Sequence, residues 1–322
     1  MALFRFSFTL LAAVFTAGAW AQAEWPAKPI RVVYPFAAGG VGDVSFRLIA
    51  PAVEARIGQR FVIEAKPGAA GNIAAQEVAR SAADGYTLLM PSTSVLSVNP
   101  FLFTNLGFDP IGSFDPISTY SESAPVVFIN AGLPVRTLAE WMLYAKANPG
   151  KLNYGSPGIG SPSHLVSELL SQLANAGMTH VPYKGTPPMI QGLLSGDVQM
   201  ISTTYSAAIG HVKAGKLRVL AATSRQRLPD APDLPTAREL GYTDVVASNW
   251  WGLAAPKGTP ARIIERLSSE VRAAIADPMV QKRMIELSMG PLGSTPAEFA
   301  ALIREDSARW KSVIQRAGIK PE

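Results

Sequence analysis

Arg31-Val-Val-Tyr-Pro-Phe-Ala-Ala-Gly-Gly-Val-Gly-Asp43 is the stretch on which the reading of this chain turns. Val32 and Val33 are strand formers, and Pro35 ends the strand. Gly39, Gly40 and Gly42 permit backbone angles and close approaches that a side chain blocks. From Val44 to Ile57 the apolar residues return at helical spacing, with Pro51 inside the run, where a missing N–H should bend the helix. Strand, glycine turn and helix in that order point several N–H groups outward at a helix N-terminus. Such an end suits a carboxylate or a phosphate.

The same order recurs along the chain. Phe61–Glu64 reads as a strand, and Pro67-Gly-Ala-Ala-Gly-Asn72 as a second glycine turn opening a helix that runs to Ala82. Tyr86–Met90 is the next strand. Residues 91–125, rich in Ser, Pro, Asn and Phe, read as mostly irregular. Val126–Ile129 then starts a new α/β unit. Thr137-Leu-Ala-Glu140 has the capping-box pattern. Leu152–Gly155 is a strand, followed by Ser156-Pro-Gly-Ile-Gly-Ser161, with Ser161 as N-cap and Pro162 at the first helical position. Further strands are expected at Thr179–Pro182, Val198–Ser202, Leu217–Thr223 and Trp250–Ala255, with residues 224–245 as a linker-rich stretch. Two long helices close the chain, the first from Thr259-Pro260 and the last from the capping box Thr295-Pro-Ala-Glu298. Alternation of this kind predicts an α/β fold with parallel or mixed sheets flanked by helices. The strand restart near Val126 and the return strand at Trp250 divide the chain into two domains. The first is discontinuous, residues 24–124 plus 248–322, and the second is 125–247.

Length supports that division, since 322 residues exceed one ordinary core. Residues 1–23 read as a signal peptide: Arg5 in the n-region, an apolar run over Phe6–Phe15, and small-x-small sites that place cleavage after Ala21 or Ala23. The expected address is the periplasm. An exported chain with no cysteine has neither disulfides nor thiolate metal ligands. The net charge of +5 is scattered, with no Lys/Arg block and no interleaved aromatics, which argues against nucleic acid.

Chemistry is sparse. Gly40-Val-Gly42 after a strand, with Glu64 ending the next one, partly matches a dinucleotide-binding fingerprint, so an NAD-type oxidoreductase is the rival reading. Ser45 stands where that fingerprint has Gly or Ala, and Asp43 would set a carboxylate beside the pyrophosphate. There is no Gly-x-Ser-x-Gly elbow. The three histidines, His164, His180 and His211, have no acidic neighbour at a telling spacing, nor the i, i+4 spacing of a two-histidine zinc site. Asp43 fits either a helix cap or a ligand contact. Lys184 reads as a solvated turn residue, and Trp250 and Trp251 as core residues on opposite faces of one strand. No catalysis and no cofactor or metal are expected.

Several of these motifs together resemble a known family. Tyr34–Asp43, Pro67–Asn72, Asp84-Gly-Tyr-Thr-Leu-Leu89, Ala145-Lys-Ala-Asn-Pro-Gly-Lys-Leu-Asn-Tyr-Gly-Ser156, Gly160-Ser-Pro-Ser-His164, His180-Val-Pro-Tyr-Lys-Gly185 and Lys213-Ala-Gly-Lys-Leu217 are similar to the extracytoplasmic solute receptors of tripartite tricarboxylate transporters, the Bug receptors. The resemblance covers essentially the whole mature chain. It implies a monomeric, two-domain Venus-flytrap binding protein of the periplasm that closes on a small organic anion and delivers it to membrane permease subunits. It implies ligand contacts, largely from backbone, in four loops. Phe36, Ala38, Gly39, Gly40 and Asp43 lie in the first, and Ala69, Ala70 and Gly71 in the second. Ser156, Gly160, Ser161 and His164 lie in the third, and Tyr183 and Lys184 in the fourth. Ser92 and Thr203 complete the candidate site. Two departures stand out. Gly42 occupies a position that is commonly Thr or Ser, and Ser202-Thr203-Thr204 replaces a common Phe-Asp. Without that acid, an amino group has lost an acceptor, so the expected ligand is a plain mono- or dicarboxylate.

Overall fold

A computed structural model describes residues 25–158, 160–183 and 185–318. The expected signal peptide and Lys184 lie outside the described residues. In chain order the elements are β1 (Ile30–Tyr34), α1 (Val41–Ile57), β2 (Phe61–Ala65), α2 (Asn72–Ala79), β3 (Thr87–Leu89), β4 (Phe114–Ser123), β5 (Val126–Asn130), α3 (Leu138–Ala147), β6 (Asn153–Ser156), α4 (Pro162–Leu173), β7 (Thr179–Pro182), α5 (Thr186–Ser195), β8 (Met200–Thr203), α6 (Tyr205–Lys213), β9 (Leu217–Ala222), β10 (Asn249–Pro256), α7 (Ala261–Ile275), α8 (Pro278–Glu286), β11 (Gly290–Pro291) and α9 (Pro296–Ala317). Among the described residues no helix is long and apolar enough to cross a membrane.

Two mixed sheets result, ordered β11-β4-β10-β3-β1-β2 and β7-β6-β8-β5-β9. In the first, β1 pairs in parallel with β2 and β3, while β10 runs antiparallel to β3 and β4. Period-two alternation sorts its side chains. Val32, Leu88 and Trp251 pack with Phe46 and Ile49 of α1 and Leu267 and Val271 of α7 on one face. Val33, Leu89 and Trp250 pack with Val78 of α2 and Phe299 and Ile303 of α9 on the other. The second sheet does the same. Val127, Ile129 and Tyr154 meet α3 and α4 through Leu138, Trp141, Leu165 and Leu169, and Val126, Phe128 and Ile201 meet α5 through Met189 and Leu193.

Three elements differ from expectation. The longest strand, β4, lies inside the stretch read as irregular. Asp115, Pro116 and a run of hydroxyl residues hide its alternation, and the ladder shifts register between Leu253 and Ala254, where Pro116 faces β10 without an N–H to give. The closing pair of helices is in fact a trio. Asp277 caps α8 by accepting from the Met279 N–H at 2.8 Å, with Pro278 at the first turn. Finally, α9 is shared. Phe299 and Ile303 sit in the first lobe's core, whereas Trp310, Val313 and Ile314 sit in the core of the second. A helix of 22 residues spans about 33 Å, enough to lie across both lobes, so its end does not belong to the first lobe alone.

The chain crosses between the sheets at 123–126 and 247–249. Thr223 ties these crossings together: its Oγ1 lies 2.7 Å from the Pro125 carbonyl oxygen and 3.0 Å from that of Ala247, and the Ala247 N–H donates to the Thr223 carbonyl at 2.8 Å. Thr223→Val is therefore expected to lower stability by about 1 kcal/mol in urea denaturation, the worth of one net buried hydrogen bond. An unchanged midpoint would show that the hydroxyl does not bind the crossings together.

Candidate functional site

The glycine turn after β1 is held from within. Asp43 is buried; one carboxylate oxygen accepts from the Gly39 N–H and the other from Arg47 Nε, both at 2.8 Å. Asp43 thus shapes the loop, and the N-cap of α1 is Gly40, without a side-chain cap. Gly42 has its own reason for being glycine. A Cβ there would lie 2.5 Å from Cδ2 and 2.7 Å from Cζ3 of Trp251. The indole occupies the space that any side chain at this position would need. Trp251 in turn meets Tyr34 and Phe36 at ring-centroid distances of 5.6 Å each, forming an aromatic wall. Burial pushes the Tyr34 hydroxyl up to about 12, so the wall is neutral.

The second turn is strained. Gly68, Ala69, Ala70 and Gly71 all have positive φ, including 45° and 53° at the two alanines. A left-handed alanine costs about 1–2 kcal/mol. Asn99 holds the turn in place, donating from Nδ2 to the Ala70 carbonyl at 3.0 Å and to Asn72 Oδ1 at 2.7 Å.

The third loop comes from the other lobe. Ser161 caps α4 by accepting from the His164 N–H at 3.2 Å, and its hydroxyl donates to the Gly158 carbonyl at 2.7 Å. Ser156 Oγ accepts from the Gly158 N–H and lies 2.6 Å from His180 Nε2. The Gly160 N–H donates to His164 Nδ1 at 3.2 Å. His164 and His180 are stacked 4.1 Å apart, with Tyr154 stacked on His180. Burial, and then the neighbouring His180, hold His164 down to about 3, and burial also lowers His180. The folded protein therefore keeps His164 neutral while the unfolded chain protonates it below about pH 6.5. Stability should fall as pH drops from about 6.5 towards 3, and His164→Asn should flatten that slope in thermal unfolding. An identical slope in the variant would contradict the assignment.

These pieces enclose a cavity of about 340 Å³ between the lobes. Tyr34, Phe36, Ala70, Ser92, Ser94, Asn99, Asn249 and Trp251 line it from the first lobe, and Pro157, Gly158, Gly160, Ser161 and Pro162 from the second. None of the described lining residues carries a charge. A larger cavity, about 730 Å³, is lined by Arg225, Arg238, Arg309 and Arg316 among others and contains none of the four expected loops.

Of the residues singled out in the sequence, Phe36, Ala70, Ser92, Gly160 and Ser161 border the interlobe cavity. Asp43, Gly71, Ser156 and His164 stand behind its wall in the contacts just described, with the Gly71 N–H given to the Gly68 carbonyl. Ala38, Gly39 and Ala69 are exposed outside it, and Gly40 sits against the Tyr34 hydroxyl. The start of α1 thus contributes no lining residue, because Trp251 covers it. Tyr183 packs over Gly192 of α5, and Thr203 is buried at the end of β8. Sequence reasoning assigned Trp251 to the core alone and passed over Asn249 and Asn99. The signal for Asn249 and Trp251 was the alternation of β10, which sends both to one face; Asn99 carried none.

The dinucleotide reading finds its elements otherwise engaged. Glu64 pairs with Arg31 at 2.6 Å and with Lys66 at 3.5 Å, and the close approach over Gly42 is taken by an indole.

A family model described as "Tripartite tricarboxylate transporter family receptor" matches residues 45–319. Protein BugT of Bordetella pertussis is 33% identical over 297 residues, 92% of this chain and 91% of its own length. Among solved structures, "R. palustris Rpa4515 with adipate" superposes with a TM-score of 0.80 at 33% identity, covering 93% of this chain and all of that one. "MatC (Rpa3494) from Rhodopseudomonas palustris with bound malate" gives 0.75 at 32% identity, covering 90% and 100%. A "periplasmic binding protein BugD" gives 0.76 at 32%, covering 92% and 100%. The two-lobed α/β fold is that of the periplasmic binding proteins.

Proposed function

This chain belongs to the tripartite tricarboxylate transporter receptor family, as a Bug-type member, and on that premise we propose that it is a periplasmic receptor that captures a small carboxylate between its lobes. The observation that carries the reading is the interlobe cavity, which joins an aromatic wall from one lobe to the N-terminus of α4 from the other, with no charged lining residue. A helix N-terminus favours an anion by about 0.3–1 kcal/mol, and more when partly buried. Contacts from both lobes exist together only when the cleft is shut, so the bound anion favours closure about the crossings at 123–126 and 247–249. We take 24–124 with 248–305 as one lobe and 125–247 with the end of α9 as the other. The relatives solved with adipate and malate support a carboxylate ligand. In this reading the mature chain, cleaved after Ala21 or Ala23, acts as a monomer, performs no catalysis, and hands its ligand to integral membrane permease subunits.

The test is native mass spectrometry of the protein as purified, followed by calorimetric titration with a carboxylate panel and with NAD. A carboxylate that co-purifies and rebinds supports the proposal. Tight NAD binding with no response to any carboxylate would reverse it in favour of the dinucleotide reading.

A further inference from the structure

We propose that the ligand is a monocarboxylate carrying a hydroxyl at the end remote from its carboxylate, an inference that rests on the carboxylate-receptor reading above. It comes from three polar atoms on one wall of the cavity. Ser92 Oγ, Asn249 Oδ1 and Trp251 Nε1 are all inaccessible to solvent and all lack a hydrogen-bond partner. Ser92 and Trp251 are direct partners in an isolated antiparallel bridge. Asn249 is two residues before Trp251 on β10, so the two share a face of the sheet. The three residues that carry these atoms line the same interlobe cavity. Nine buried side-chain atoms are unpartnered among the described residues, and three of them belong to residues that line this one cavity. Buried polar groups are almost always paired, so such a concentration marks what an occupant must supply.

The chemistry of the three atoms selects the occupant. An indole N–H only donates, an amide oxygen only accepts, and a serine hydroxyl does either. A hydroxyl on the ligand meets the whole set. It donates to Asn249 Oδ1 and accepts from Trp251 Nε1 and Ser92 Oγ. A second carboxylate only accepts, leaves Asn249 Oδ1 unpaired, and brings a charge to a wall with no cation on it. An ammonium group only donates and leaves the Trp251 N–H unpaired. The first carboxylate belongs at the opposite wall, at the start of α4, and the apolar body of the molecule lies against Tyr34 and Phe36.

The test is calorimetric titration of the full mature chain with hexanoate, 6-hydroxyhexanoate and adipate, which differ only at the far end. The rigid series benzoate, 4-hydroxybenzoate and terephthalate is run in parallel. The hydroxy acid of the better-fitting series should bind at least about tenfold more tightly than both of its counterparts, because a site built to bond a hydroxyl discriminates against its absence. Trp251→Phe keeps a ring and removes the N–H. Together with Ser92→Ala, it should bring the ratio of hydroxy-acid to parent-acid affinity down towards one, whatever happens to the affinity for each. Equal affinity for the parent and hydroxy acids overturns the inference, since water then serves the three atoms as well. Tighter binding of a dicarboxylate also overturns it while leaving the receptor reading in place. No binding by any acid of either series or of the wider carboxylate panel defeats the receptor reading itself.

Discussion

Gly42→Ala is expected to lower the melting temperature and to weaken ligand binding at least about tenfold, an effect of roughly 1.4 kcal/mol or more. The added methyl group falls well inside contact distance of three carbons of the buried Trp251 ring. Overpacking of this kind typically costs about 1–3 kcal/mol, because a rigid ring cannot yield without moving its neighbours. Here the neighbours are Tyr34 and Phe36, so the displacement passes directly into the cavity wall. Adding Trp251→Leu should relieve the clash without restoring affinity, and the cavity left by the lost ring should itself lower stability. Calorimetry and thermal unfolding of the single and double variants check both statements. Wild-type stability and binding in Gly42→Ala would show that Trp251 does not sit over Gly42.

Gly160→Ala should act on closure rather than on the wall. Gly160 has φ +73°, and a Cβ there would approach Cδ1 of Leu102 to 2.5 Å. Leu102 falls in the residues taken above as the first lobe, yet its side chain is buried in the core cluster of the second with Leu165 and Trp310, so the methyl group presses on the contact that joins the two when the cleft is shut. The left-handed backbone adds about 1–2 kcal/mol of strain on its own. The expected result is a protein that keeps the larger radius of gyration in small-angle scattering when ligand is added, with correspondingly weaker binding. Leu102→Ala in the same chain should restore compaction, because it removes the clash but not the strain. If the double variant stays open, the strain explains the effect and the contact does not.

Much of this was legible in the sequence because its signals are local. The first strand needed only Val32, Val33 and Pro35, and Ser161-Pro162 and Thr295-Pro296 marked helix starts through side-chain geometry within one turn. The division into two sheets followed from where strands stop and restart. What stayed hidden depends on contacts distant in sequence. β4 is a strand because β10 and β11 pair with it, whereas its own Asp115, Pro116 and hydroxyl residues argue otherwise. The candidate site shows the same divide. The loops around Phe36, Ala70 and Gly160 were found from glycine and capping patterns. Asp43 and His164 were expected at the ligand; Asp43 Oδ2 accepts from the Gly39 N–H and His164 Nδ1 from the Gly160 N–H, bonds that only the folded loops show. Trp251 was read as core because alternation assigns a face and cannot say what covers it. The glycine at position 42 and the indole over it are one fact, visible only when residues far apart in the chain are seen together.

The central claim is that a carboxylate, held through dipoles rather than through a cation, draws the lobes together. It is tested most directly by titrating the tightest acid of the panel and its primary amide into the same preparation, with small-angle scattering on each. The amide keeps shape and size and loses the charge. The account predicts that the acid binds at least about tenfold more tightly, as expected where a partly buried helix N-terminus contributes on the order of 1 kcal/mol or more, and that it compacts the protein. An amide that binds as well as the acid and closes the cleft equally would contradict it.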